Sequence, residues 1–256
     1  MMKKTLIALA LAATAVSGSA MAWTSDGTGG SMEFSGTLTP EAVTPWEVLV
    51  GPAVSNLNAN IESGTKIATI PVNTAIPVLG IRTALSQAFQ GATGITPQID
   101  YQGAINTSQF TNGVTTLTLE VKDTSDAKIG VLTAPLSAAA LYSASTTGQN
   151  SLVADASDRA FLGGLSTTTA GAAQGSSAAK ALMNSINADF LANYVAQGSE
   201  SSTLASAAFT DTSKRYSGAY GAGIVAGATA KLTLDNAAAG DAIAWKASLP
   251  ITVSYQ

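Results

Sequence analysis

Residues 247–256, the last ten of the chain, read ASLPITVSYQ. Leu249, Ile251, Val253 and Tyr255 alternate with Ser248, Pro250, Thr252 and Ser254. Period two marks a strand with one face toward a core. Chain ends usually fray, so a strand that continues to the last residue needs neighbours to hold it. Left open, its apolar edge would invite aggregation. Pro250 lacks an N–H, so its nitrogen must face away from the ladder or sit at a bulge.

The opposite end carries a matching pattern. In SMEFSGTL, residues 31–38, Met32, Phe34, Gly36 and Leu38 share one face, and Ser31, Glu33, Ser35 and Thr37 the other. WTSDGTGG, residues 23–30, precedes it with the composition of a flexible linker. Periodicity alone does not separate a strand in its own sheet from one given to a neighbour. One arrangement accounts for both ends: the domain lacks a strand, and the N-terminal segment of the next copy lies beside the C-terminal strand. Strand addition of this kind takes affinity from main-chain hydrogen bonds and specificity from alternate side chains. Met32, Phe34 and Leu38 would be three plugs, and Gly36 would mark a shallow position. Extended, residues 31–38 would span roughly 25 Å. A head-to-tail contact that does not close builds a filament.

The opening segment 1–22, MMKKTLIALALAATAVSGSAMA, reads as a secretory leader. Lys3 and Lys4 precede an apolar run from Leu6 to Val16, and Ala20-Met21-Ala22 is an A-x-A cleavage site. The apolar run is too short for a membrane anchor. Cleavage after Ala22 would start the mature chain at Trp23. It would remove two lysines and no acids, moving the formal charge from −4 to −6. That balance offers phosphates no basic face and argues against a nucleic-acid partner. The chain has no cysteine and no histidine. Ser-His and Cys-His catalysis and the usual zinc sites are therefore excluded, and no cofactor is expected. Charged residues are only 11%, which suits a surface covered by neighbours in an assembly.

Between the ends, strand-like stretches occur at 46–50, 66–72, 96–101, 114–122, 128–136, 228–234 and 243–255. KDTSDAK (122–128) reads as a hairpin turn and DNAAAGD (235–241) as another. Strands at this spacing predict a mainly β fold, a sandwich. Residues 151–198 depart from the pattern. SSAAKALMNSINADFLANYVAQ places Leu182, Ile186 and Phe190 at helical spacing, with serines near the start as caps and Gly198 just past the end. SLVADASDRAFLGG and GIRTALSQAF are weaker helix candidates. The expected organisation is a leader (1–22), an N-terminal extension (23–39) and one domain (40–256) with a helical insert at 151–198.

Three motifs invite a chemical reading. Ser177 and Lys180 have the S-x-x-K spacing of a nucleophile and base, but both lie near a helix start and the companion motifs are missing. GAYGAG, residues 218–223, lacks the dinucleotide spacing and suits a tightly packed or bulged strand. Asp155 and Asp158, one turn apart, fit a solvated face better than a cation site. An enzyme is not expected.

The residues together resemble the FaeG-type subunits of chaperone–usher fimbriae of enteric bacteria. The likeness lies in the order and spacing of MKKTLIALA, a mature start at tryptophan, GSMEFSGTLT, PWEVLVG, GTKIATIPV, VLGIRTALSQAF, KIGVL, FLGGL, YGAGIVAGAT and AWKASLPITVSYQ. It implies an incomplete immunoglobulin-like sandwich completed by donor-strand exchange. It implies a periplasmic chaperone that pairs with the strand of Leu249, Ile251, Val253 and Tyr255, an outer-membrane usher, and neighbouring subunits as partners. It also implies a surface fimbria that attaches to host cells. In this family the major subunit is often the adhesin as well, with a host-glycan site near the insert, for which Asp158, Arg159 and Phe161 are the candidates. The insert here is poorer in charge and aromatics than in well-known members, which keeps a minor or tip subunit open. A secreted monomeric carbohydrate-binding sandwich remains the reading from another class.

Overall fold

Residues 32, 34–37 and 44–256 are described by the computed structural model. The expected leader and linker, and the donor position Leu38, lie outside the described residues.

The strands are β1 (Trp46–Val50), β2 (Ile67–Pro71), β3 (Ile76–Thr83), β4 (Phe89–Gln90), β5 (Pro97–Asp100), β6 (Val114–Lys122), β7 (Lys128–Ala144) and β8 (Gly148–Leu152). Helix α1 (Gly175–Ile186) follows, then β9 (Glu200–Ala205), β10 (Arg215–Ile224), β11 (Thr229–Leu234), β12 (Lys246–Ala247) and β13 (Thr252–Tyr255). No helix among these residues is long and apolar enough to cross a membrane.

β7 is the spine. One edge carries β6 along its first half and β8 along its second. The other carries β11 and β10, placed end to end. β2 and β3 line the far side of β11 and β10, and β1 closes on β3. β12 adds a short piece beside the end of β6, and β13 crosses to pair with β5 in a second sheet. Leu249, Ile251, Val253 and Tyr255 pack on the cluster that holds Trp46, Leu79, Ile81 and Tyr220. The result is a β-sandwich with a helical insert, as the strand spacing predicts.

Local chemistry explains the clearest elements. β6 alternates in burial and ends at Asp123, whose Oδ1 accepts from the amides of Ser125 (2.8 Å) and Ala127 (2.9 Å). That side-chain turn makes the β6–β7 hairpin. The first half of β7 alternates too, but from Leu136 onward every residue is buried. Ala138, Ala140 and Tyr142 face the aromatic core, while Ala139 and Leu141 face α1. Two covered faces require small or apolar residues at every position.

Helix α1 packs Ala179, Met183 and Ile186 onto Ala139, Leu141 and Ala219. Phe190, in a short 3-10 turn after the helix, lies over the sheet. A Cβ at Gly80 or Gly221 would come within 2.5 Å or 2.3 Å of its ring, so those glycines make room for it. GAYGAG is accordingly a packed strand.

Several expectations need correction. The helix stops at Ile186, well before Gly198, because Asn187 is extended and its Oδ1 accepts from the Asp189 amide. No serine caps it: the capping position is Gln174, and Ser176 Oγ instead donates to the Ser201 carbonyl (3.1 Å). Residues 151–164 form the end of β8 and a series of turns, not a helix, because β8 is held along β7. GIRTALSQAF is the end of β3, a bend and β4. DNAAAGD is not a hairpin, since the strand that follows pairs with β6 and not with β11.

Candidate functional site

The C-terminal segment keeps its alternation from Trp245 to Gln256, with odd positions facing inward. Trp245 and Ala247 pack on the Ile70, Val121 and Leu232 cluster; the remaining four pack on the aromatic one. None of the six is fully buried. Pro250 lies between the two paired pieces β12 and β13, where no ladder bond is required of its nitrogen. Among the described residues, the backbone of residues 248–251 finds no hydrogen-bonding partner. Residues 52–61 show the same lack, while Leu57 and Ile61 pin that stretch to the cluster shared with Trp245 and Ala247. Two segments, one on each cluster, thus carry main chain without a partner among the described residues, which is costly unless water or another strand supplies partners.

The described donor positions are exposed, Met32 by 76% and Phe34 by 84%. A Cβ at Gly36 would meet nothing within 4 Å.

In the insert, Asp158 and Arg159 are held together at the surface. Arg159 Nη1 donates to Asp158 Oδ2 at 2.9 Å, and its Nε lies 3.9 Å from Asp155 Oδ1. The arginine therefore pairs with both Asp155 and Asp158. Its Nε atom is buried without a hydrogen-bond partner. Phe161 is 0% exposed and stacks on Tyr220 at 5.4 Å, so it belongs to the core and offers a ligand no surface.

Arg159 lines a cleft of about 240 Å³ with Tyr142, Thr147, Ser206, Asp211 and Lys214. Tyr142 and Thr147 share a hydroxyl contact of 3.2 Å. The Ser213 hydroxyl and amide, with Lys214 at 3.1 Å, hold the exposed Asp211 carboxyl down at about 2. Burial pushes the Tyr216 hydroxyl above its ordinary range. Sequence reading missed Tyr142, on β7, and the pair Asp211 and Lys214, in the turn before β10, because nothing local in the sequence brings the strand and the turn together.

Ser177 and Lys180 meet, but on a third group. Both bond the Glu200 carboxylate, and Lys180 Nζ also donates to Gln149 Oε1 (2.6 Å). The serine hydroxyl points at an anion and not at the lysine. The cluster fastens α1 to β8 and β9, and holds the Glu200 carboxyl below its usual range.

The fold is a β-sandwich with a helical insert, with main chain at residues 248–251 that lacks a partner among the described residues and with exposed Met32 and Phe34. Residues 2–256 match the family described as fimbrial, major and minor subunit, and the chain belongs to it. It is 32% identical to K88 fimbrial protein AB of Escherichia coli over 99% of this chain and 100% of that protein. It is likewise 32% identical to K88 fimbrial protein AD over the same shares, and 29% identical to the F41 fimbrial protein, both of Escherichia coli. Membership of a fimbrial family means contact with other fimbrial subunits.

Proposed function

We propose that the protein is a subunit of a surface fimbria polymerised by donor-strand exchange. Residues 1–22 direct export, and a periplasmic chaperone pairs with the strand of Leu249, Ile251, Val253 and Tyr255 before an outer-membrane usher releases the subunit into the fibre. The N-terminal segment of the next copy then replaces the chaperone, with Met32, Phe34 and Leu38 as plugs and Gly36 at a shallow position. The observation that carries this reading is the C-terminal segment: its inward side chains are half covered and residues 248–251 have unpaired backbone among the described residues. A strand laid there would supply both the missing cover and the missing bonds.

Attachment to host cells would use a glycan at the insert. The cleft beside Arg159 supports it, having aromatic, cationic, anionic and hydroxyl groups within one small space. Asp158 and Arg159 remain the receptor candidates, without Phe161.

The test is to co-express the mature chain and its cognate chaperone, with and without residues 23–39, and size the products. Oligomers from the full-length chain and a one-to-one chaperone complex from the truncation are expected. Stable chaperone-free monomers from both would mean a domain complete in itself, and the monomeric binding module would replace this reading.

A further inference from the structure

β5 is a shared strand, and its two edges divide by residue parity. Thr96, just before it, exchanges both backbone bonds with Gln256, each at 3.0 Å. The ladder continues with Gln98 opposite Ser254 and Asp100 opposite Thr252. The odd residues look the other way. The Pro97 carbonyl accepts from the Phe161 amide at 2.7 Å, and the Ile99 amide donates to the Leu162 carbonyl at 2.8 Å. Pro97 thus costs the ladder with β13 nothing, because its nitrogen lies on the side of the insert.

Side chains tie the same strand to the cleft. Gln98 Nε2 donates to the Arg159 carbonyl at 2.9 Å, and the Thr96 hydroxyl bonds the Ala208 carbonyl. The Ala160 amide bonds the Ala207 carbonyl at 2.8 Å, and Tyr220 Oη donates to the Gly164 carbonyl at 3.1 Å. The fit is close enough to exclude a methyl group. A Cβ at Gly163 would lie 1.9 Å from the Ile99 carbonyl oxygen, and its φ of +84° already disfavours any other residue. Phe161 is itself left-handed at φ +60°, a conformation that costs energy unless its surroundings fix it.

We infer that β5 makes the seating of the C-terminal strand and the order of insert residues 159–165 one cooperative unit, so that the surface at Arg159 takes its shape only when residues 252–256 are in place. The insert and the C-terminal strand are remote from β5 in sequence and from each other, yet both take main-chain bonds from the single stretch 96–100. Neither edge of β5 can open without removing support from the other, and such coupling is reciprocal. The inference rests on the seat of β13 and holds whatever occupies the open main chain of residues 248–251.

The experiment is residue-resolved amide hydrogen exchange on the full chain, with the amides of β11 as an internal standard. Gly163→Ala should accelerate exchange at Ser254 and Gln256 at least tenfold while β11 is unchanged. Ser254→Pro removes one rung at the far edge. It should accelerate exchange at Phe161 and Ile99 by a similar factor, and it serves alone where Gly163→Ala does not fold. Exchange confined to the mutated edge would overturn the inference. So would a uniform rise that includes β11, because the effect would then be global destabilisation.

Discussion

β11 and the C-terminal segment carry the same pattern and meet different fates. In β11, Ala230, Leu232 and Leu234 are exposed by only 1%, 4% and 6%. From Trp245 to Tyr255 the inward residues alternate as cleanly, yet all six stay half covered. β11 has a strand on each side, β2 and β7. β13 has β5 on one side, and residues 248–251 have no backbone partner among the described residues. Alternation therefore says which face looks inward. Between these two segments, depth of burial differs with the neighbours that lie alongside.

The largest loss is expected at the buried strand. Leu232→Ala should cost about 3 kcal/mol, from lost transfer energy and the cavity left behind, read as a lower urea midpoint for the isolated subunit. Ile251→Ala should cost less, about 1 kcal/mol in the same measurement, since that side chain is only partly buried against the core. Equal costs would abolish the distinction. In a fibre where a donor strand covers the segment, the penalty of Ile251→Ala should rise toward that of Leu232→Ala. Resistance of fibres to dissociation in denaturant would report it.

Outward positions form the control. Ser248→Lys and Thr233→Lys should each change stability within about 0.5 kcal/mol, because both side chains face solvent. A large loss at Ser248 would mean that the open main chain already has a cover.

The smallest effect lies outside both strands and supplies a pH reference for them. The folded Asp211 carboxyl is held at about 2, below its ordinary 3.8. Its contribution is present above pH 3.8 and disappears as pH falls through 2. Wild type should therefore lose slightly more thermal stability than Asp211→Asn between pH 5 and pH 2. Parallel melting curves would remove the Ser213–Lys214 contacts from the account.

Legibility followed coverage. β6 was readable to the residue, Val114–Lys122, because one face is core and the other solvent. β3 was not, although Leu79, Gly80 and Ile81 are central: core covers one face and Phe190 the other, so no alternation is left to read. The same holds for the second half of β7 and for β10. The helix was visible from its apolar stripe, but its end was not, since Asn187 stops it through a side-chain bond to Asp189. At the candidate site, the alternation of Leu249, Ile251, Val253 and Tyr255 stood in the sequence. The burial of Phe161 did not, because nothing local in FLGGL shows that Gly163 and Gly164 lie against Ile99 and Tyr220.

By itself the sequence determined the inward face of the last strand, the Asp123 turn, and a chemistry without histidine or cysteine. These are properties of neighbouring residues or of composition, and a one-dimensional pattern holds them. Long-range packing places β5 between the C-terminal strand and the insert, and brings Tyr142, Arg159 and Asp211 to one cleft. Those contacts join main-chain groups as distant in sequence as Thr96 and Gln256. A backbone amide or carbonyl is the same in almost every residue type, so no local pattern records which distant strand will meet it.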